Sequence, residues 1–228
     1  MSQALQRRQL ASDGYALLRG VLDAGHCSAL VAAFPATAAR AGGLRNALGL
    51  AGVRDLPGVL ELDAIAAGLL NAPAHAVRAI LFDKTADANW AVAWHQGLAI
   101  PVRERHEVAG YRGWSHKSGV WHVQPPLEVL EGMLTLRLHL DQCDADNAPL
   151  QVLPGTHLMG RLDARCVQSL LAGSHAPAVC TAQAGDVLAM RPCLLHASGR
   201  AVRPLRRRVL HVEYAARELP APLQWQQA

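Results

Sequence analysis

From residue 76 onward the chain is written in short apolar runs with a period of two. "AVRAILFDK", "WAVAWH", "LAIPV", "VWHVQ", "MLTLRLHLD", "PLQVLP", "AVCTAQ", "GDVLAM", "CLLHAS" and "RRVLHVEYA" follow one another, separated by turn residues as in "DADNAP", "PGTH" and "QAGD". Alternation sends successive side chains to opposite faces of a strand, so each run is a strand with two distinct sides. Helical spacing interrupts only at 126–133 ("PLEVLEGM") and 163–173 ("DARCVQSLLAG"). Many short strands without a strand–helix–strand rhythm predict a mainly β protein, a sandwich or jelly-roll barrel.

The first third differs. "YALLRGVL" (15–22) is an early strand, Asp23 is placed to cap a helix through "AGHCSALVAAF", and "LELDAIAAGLLNA" (60–72) is apolar at helical spacing. The expected organisation is one domain over 1–228, with a mainly helical part at 1–75 and a β core at 76–215. A chain of 228 residues that is 51% hydrophobic is long enough for one sizeable core.

Several function classes are disfavoured by what is missing. No uncharged apolar run reaches the length of a membrane span, and "MSQALQRRQLASDGY" has no secretory h-region, so a cytoplasmic protein with no membrane partner is expected. Five cysteines, odd in number and without a CxxC pair, read as reduced thiols. The net charge of +4 is mostly arginine spread along the chain, and its one dense run, "RPLRRR" (203–208), has no nucleic-acid motif beside it. The balance predicts a small-molecule substrate, with a preference for anions, rather than a nucleic-acid partner. The polar segment 103–121, with Arg103, Arg105 and Arg112, is either a lid or substrate wall or a solvated loop.

Four positions carry candidate chemistry. His95 and position 97 lie two apart on a strand and share a face, and His196 in "LLHASG" lies on a distant strand able to meet them. Two histidines and a carboxylate on one face leave open positions on a metal, as in non-haem iron oxygenases. Arg207 follows His196 by eleven residues, and its planar fork suits a carboxylate. A competing pair is His139-x-Asp141 in "LHLD", although Asp141 also opens a turn. His157 and His211 are read as structural, and the role of His122 is open.

The segments "DGYALLRGVL", "LFDK", "NWAVAWHQG", "WSHKSGVWHVQPP", "LHLDQCDADNAPLQVLPGTH", "AGDVLAMRPCLLHASG" and "RRRVLHVEY" together resemble the phytanoyl-CoA dioxygenase-like family of Fe(II)/2-oxoglutarate oxygenases. The resemblance implies a double-stranded β-helix, a jelly roll of cupin-like form. It implies Fe(II), 2-oxoglutarate and O2, with His95 and His196 as the iron-binding histidines. It also implies Arg207 as the clamp on the distal carboxylate of 2-oxoglutarate with Ser198 beside it, and Lys84, Trp114 and Gln124 at the co-substrate pocket.

The departure is at position 97, where the family's His-x-Asp carboxylate is replaced by Gly97. In halogenases of this class Gly or Ala stands there, and chloride takes the opened coordination position. Halogenation of an unactivated C–H of a small molecule is therefore one reading. The alternatives are a hydroxylase whose aspartate is lost or replaced, and a non-catalytic jelly-roll module that binds a small anion.

Overall fold

The computed structural model describes residues 2–35, 43–54 and 61–226. Its strands form three antiparallel sheets. The first runs, in spatial order, β1 (Tyr15–Leu18), β11 (Val187–Met190), β8 (Met133–His139), β13 (Arg207–Ala215), β3 (His75–Lys84) and β2 (Leu44–Arg45). The second runs β10 (Ala178–Cys180), β9 (Leu150–Val152), β12 (His196–Ser198) and β4 (Val92–His95), and the third β5 (Ile100–Val102), β7 (Val120–Gln124) and β6 (Arg112–Lys117). Strands remote in sequence lie side by side, as β8 does between β11 and β13. This is the expected jelly roll.

The alternation in β8 explains the architecture. All seven residues of "MLTLRLH" are buried. Leu134, Leu136 and Leu138 face the main core with Leu210, Val212, Ala79 and Leu81, under the N-terminal helices. Each such leucine contributes about 1.5–3 kcal/mol through burial. The odd-numbered residues face the barrel interior, where Thr135 and Arg137 line a cavity. A slip of one residue would exchange the leucines for the polar set, so the register is strongly specified.

Helices cover the outer face. The helix Gln3–Asp13 ends at Gly14, whose φ is 82° and where a Cβ would lie 2.5 Å from His157 Nδ1. Both the left-handed backbone and the close approach call for glycine. His157 Nε2 lies 3.2 Å from the Ala11 carbonyl, so this ring ties the helix to the barrel. Asp23 caps Ala24–Ala32 and Asp163 caps Ala164–Ala172, each accepting a backbone N–H at 2.8 Å. The helix expected over 60–72 spans Leu62–Leu70, and Leu60 lies outside the described residues.

Two elements depart from the sequence reading. Part of the polar segment 103–121 is strand β6, which its six residues, "RGWSHK", adopt by pairing with β7 rather than through apolar alternation. The stretch after β13 is also packed: Leu219, Leu223 and Trp225 fill a second core with Ile100, Val102 and Tyr111. Among the described residues no helix is long and apolar enough to cross a membrane.

Candidate active site

A cavity of about 340 Å³ lies inside the barrel, lined by residues of all three sheets. Its walls bring together residues separated by more than a hundred positions.

His95 and His196 face each other across the β4–β12 pairing, as direct register partners, with ring centroids 4.2 Å apart. Each ring places Nδ1 2.8 Å from the carbonyl two residues before it, Ala93 for His95 and Leu194 for His196. A carbonyl only accepts, so each Nδ1 carries a proton, which leaves Nε2 as the ring atom turned to a metal. This is the orienting arrangement that metal-binding histidines use. Burial first, then the neighbouring His95, pushes His196 down to about 3, which keeps it neutral. Among the described residues no group of three His, Cys, Asp or Glu side chains is placed to hold a metal, so this pair has no carboxylate with it.

Gly97 lines the same cavity. Its N–H donates to the Pro192 carbonyl at 2.8 Å, and a Cβ there would sit 3.3 Å from that oxygen. Gln96, between His95 and Gly97, is fixed by three hydrogen bonds. Its amide nitrogen donates to the carbonyls of Gly160 and Cys193, and its oxygen accepts from Leu162 N–H. Nothing in the spacing marks Gln96 except that its amide stands between two site positions.

At one end of the cavity stand Lys84 and Arg207, register partners on β3 and β13 and both almost fully buried. Lys84 Nζ donates to Ser198 Oγ at 3.2 Å and to the Gly199 carbonyl at 2.9 Å. Arg207 Nη1 and Ser198 Oγ both donate to the Ala148 carbonyl, at 2.7 and 3.1 Å. Arg207 Nε is buried without a partner. Burial first, then Arg207 and Arg137, lower Lys84 to about 7. Glu213 is the one carboxylate lining the cavity among the described residues, and Arg78 pairs with it. Two imidazoles with free Nε2 atoms and an end rich in unneutralised cations fit a divalent metal together with a dicarboxylate.

Other expected positions fall elsewhere. Trp114 lies on the opposite face of β6 from Ser115 and packs edge-on against Trp121, with centroids 6.4 Å apart. Gln124 shares the face of His122 but lies two residues further along, against Gly113. Neither lines the cavity, whereas Ser115, Lys117 and His122 of the same sheet do. His211, read from sequence as part of a core face, lines it too, because β13 alternates with its odd residues inward. Arg103, Arg105 and Arg112 are not cavity residues, and Arg105 pairs with Glu107. Asp141 spends both carboxylate oxygens on Arg208, at 2.6 and 2.8 Å, which separates it from any metal role with His139.

The basic run 203–208 is also accounted for. Arg203, Arg206 and Arg208 pair with Asp146, Asp83 and Asp141, and Arg207 points inward. Four arginines in sequence therefore do not make one basic face.

A jelly roll with paired imidazoles and a cationic interior defines the class of Fe(II)/2-oxoglutarate-dependent oxygenases, which use O2 as co-substrate. The chain belongs to the phytanoyl-CoA dioxygenase (PhyH) family, whose pattern matches residues 10–209. No curated protein matches the chain in sequence. Solved structures are similar in fold. The non-heme alpha ketoglutarate dependent carbocyclase SnoK from nogalamycin biosynthesis superposes with a TM-score of 0.70 at 16% identity, over 96% of this chain and 85% of that one. EctD from S. alaskensis, with 2-oxoglutarate and 5-hydroxyectoine, gives 0.69 at 20% identity, over 95% and 76%. The epimerase SnoN, in complex with Fe3+, alpha ketoglutarate and nogalamycin RO, gives 0.67 at 18% identity, over 93% and 83%.

Proposed function

We propose that this oxygenase oxidises an unactivated C–H bond of a small molecule, and that it does so as a halogenase. The observation that carries the reading is Gly97: beside the imidazole pair, where a carboxylate would complete a three-residue metal site, the cavity wall has no side chain. A missing carboxylate removes one negative charge as well as one ligand, and chloride restores both.

Each residue has a part. His95 and His196 would hold iron through Nε2, their rings fixed by the Ala93 and Leu194 carbonyls. Arg207 binds the distal carboxylate of 2-oxoglutarate, with Lys84 and Ser198 at the same end. Gln96 keeps the strand end rigid, so that the open position at Gly97 holds its shape. When bound, iron with 2-oxoglutarate and O2 supplies an oxidant strong enough to take a hydrogen atom from carbon. The epimerase, carbocyclase and hydroxyectoine-binding neighbours support small-molecule oxidation on this scaffold.

The test is anaerobic. Purified protein with Fe(II) and 2-oxoglutarate is expected to give a visible charge-transfer band that shifts on adding chloride. A band indifferent to chloride favours the hydroxylase reading, and no band at all favours an anion-binding module.

A further inference from the structure

Arg137 is the one charged residue on the buried strand β8, and no carboxylate among the described residues pairs with it. It is 5% exposed, it lines the cavity, and its Nε is buried without a hydrogen-bond partner. Its guanidinium crosses β13 to lie over the ring of Phe82 on β3, with Cζ 5.4 Å from the centroid. Burying an unpaired guanidinium costs several kcal/mol, and arginine cannot escape the cost by releasing its proton at neutral pH. Burial, reinforced by Arg207, lowers Arg137 only to about 9. The one carboxylate lining the cavity among the described residues, Glu213, is already taken by Arg78 and His211.

The co-substrate does not need this residue. In the proposed reading one carboxylate of 2-oxoglutarate binds the metal and the other meets Arg207. Arg137 starts from a different place: its register partner on β13 is His211, four residues from Arg207, about 13 Å along the strand at ~3.3 Å per residue. Its side chain leans back across β13 toward Phe82, two residues from Lys84. The guanidinium thus lies between that strand position and the Lys84–Arg207 end, close enough for Arg207 to lower its pKa and for it to lower that of Lys84, yet with no carboxylate of its own.

We infer that Arg137 is the substrate anchor, binding a carboxylate of a small organic acid through its guanidinium fork. The fork matches a planar carboxylate, and desolvation strengthens the pair. A cavity of about 340 Å³ that must also hold 2-oxoglutarate limits the acid to roughly amino-acid size. The preference for anions thus comes from this unpaired interior arginine rather than from the exposed arginines at 103–112. The inference rests on the iron and 2-oxoglutarate reading of the same site and gives it a substrate class.

The test uses protein loaded with Zn(II) and 2-oxoglutarate, so that no turnover occurs, and titrates butyrate against butyramide by ligand-observed NMR. Butyrate is expected to bind saturably and butyramide about tenfold or more weaker, as for loss of one charge-assisted pair. Arg137→Gln and Arg137→Met are expected to lose butyrate binding while 2-oxoglutarate affinity stays within about threefold of the parent. Arg137→Met is also expected to raise the thermal midpoint without ligand, because it removes an uncompensated buried charge. Butyrate bound equally well by both variants overturns the assignment. So does a large fall in 2-oxoglutarate affinity, which would make Arg137 a co-substrate clamp, or displacement of butyrate by chloride at the same site, which would make it a halide site. Failure of the parent protein to bind 2-oxoglutarate at all overturns the site reading beneath it, and is distinguished by that titration alone.

Discussion

Lys84 and Arg207 are register partners on neighbouring strands, two buried cations side by side with no acid between them. Burial and Arg207 lower Lys84 from 10.5 to about 7, so at pH 8 it is largely neutral. A dicarboxylate arriving beside it favours the charged form. Binding of 2-oxoglutarate at pH 8 is therefore expected to take up a proton, seen as a dependence of calorimetric heat on buffer ionisation enthalpy. The linkage to stability has a matching sign. Between pH 7 and 10.5 the unfolded chain holds this proton more tightly, so stability rises with pH across that window. Lys84→Met is expected to abolish both effects.

Arg207 is held by the Ala148 carbonyl but keeps Nε unpartnered. Arg207→Met should weaken 2-oxoglutarate binding by about 10–100-fold, the value of losing a charge-assisted pair. Equilibrium titration with the Zn(II) protein measures this, and unchanged affinity would place the clamp elsewhere.

Gly97→Asp adds a carboxylate at the one wall position without a side chain. The new Cβ meets the Pro192 carbonyl at 3.3 Å, so a shift of a few tenths of an ångström is needed, at a cost of about 1 kcal/mol. Fe(II) affinity by competition with a chromogenic chelator should rise, and any response to chloride should vanish. A halide response persisting in this variant would contradict the role given to position 97.

Asp141→Asn removes a carboxylate that binds Arg208 side-on and also accepts its backbone N–H at 2.7 Å. A loss of about 2 kcal/mol in denaturant unfolding is expected, with Fe(II) and 2-oxoglutarate affinities unchanged. Loss of metal binding here would revive His139-x-Asp141 as the ligand pair.

The strands were legible in the sequence because a period of two is imposed by the pleat itself. "RRVLHVEYA" is β13, Arg207–Ala215, residue for residue. Strand β6 was not, since its residues have no apolar alternation and become a strand through β7. The imidazole pair and the Lys84–Arg207 end could be reached from spacing and family resemblance. Arg137 could not, because one arginine among leucines in "MLTLRLH" gives no sign of which face lines a cavity. The same ambiguity hides the inward side of His211, because alternation says which residues share a side and only packing says which side is inside. Trp114 and Gln124 come from the family resemblance instead, and the cavity is lined by Ser115, Lys117 and His122.

The most direct measurement is an anomalous diffraction map at the bromine edge from crystals grown anaerobically with Fe(II), 2-oxoglutarate and bromide. The metal should lie on Nε2 of His95 and His196, with a bromide bonded to it over Gly97. A metal bound elsewhere, or a protein carboxylate such as Glu213 filling that coordination position, would contradict the open site.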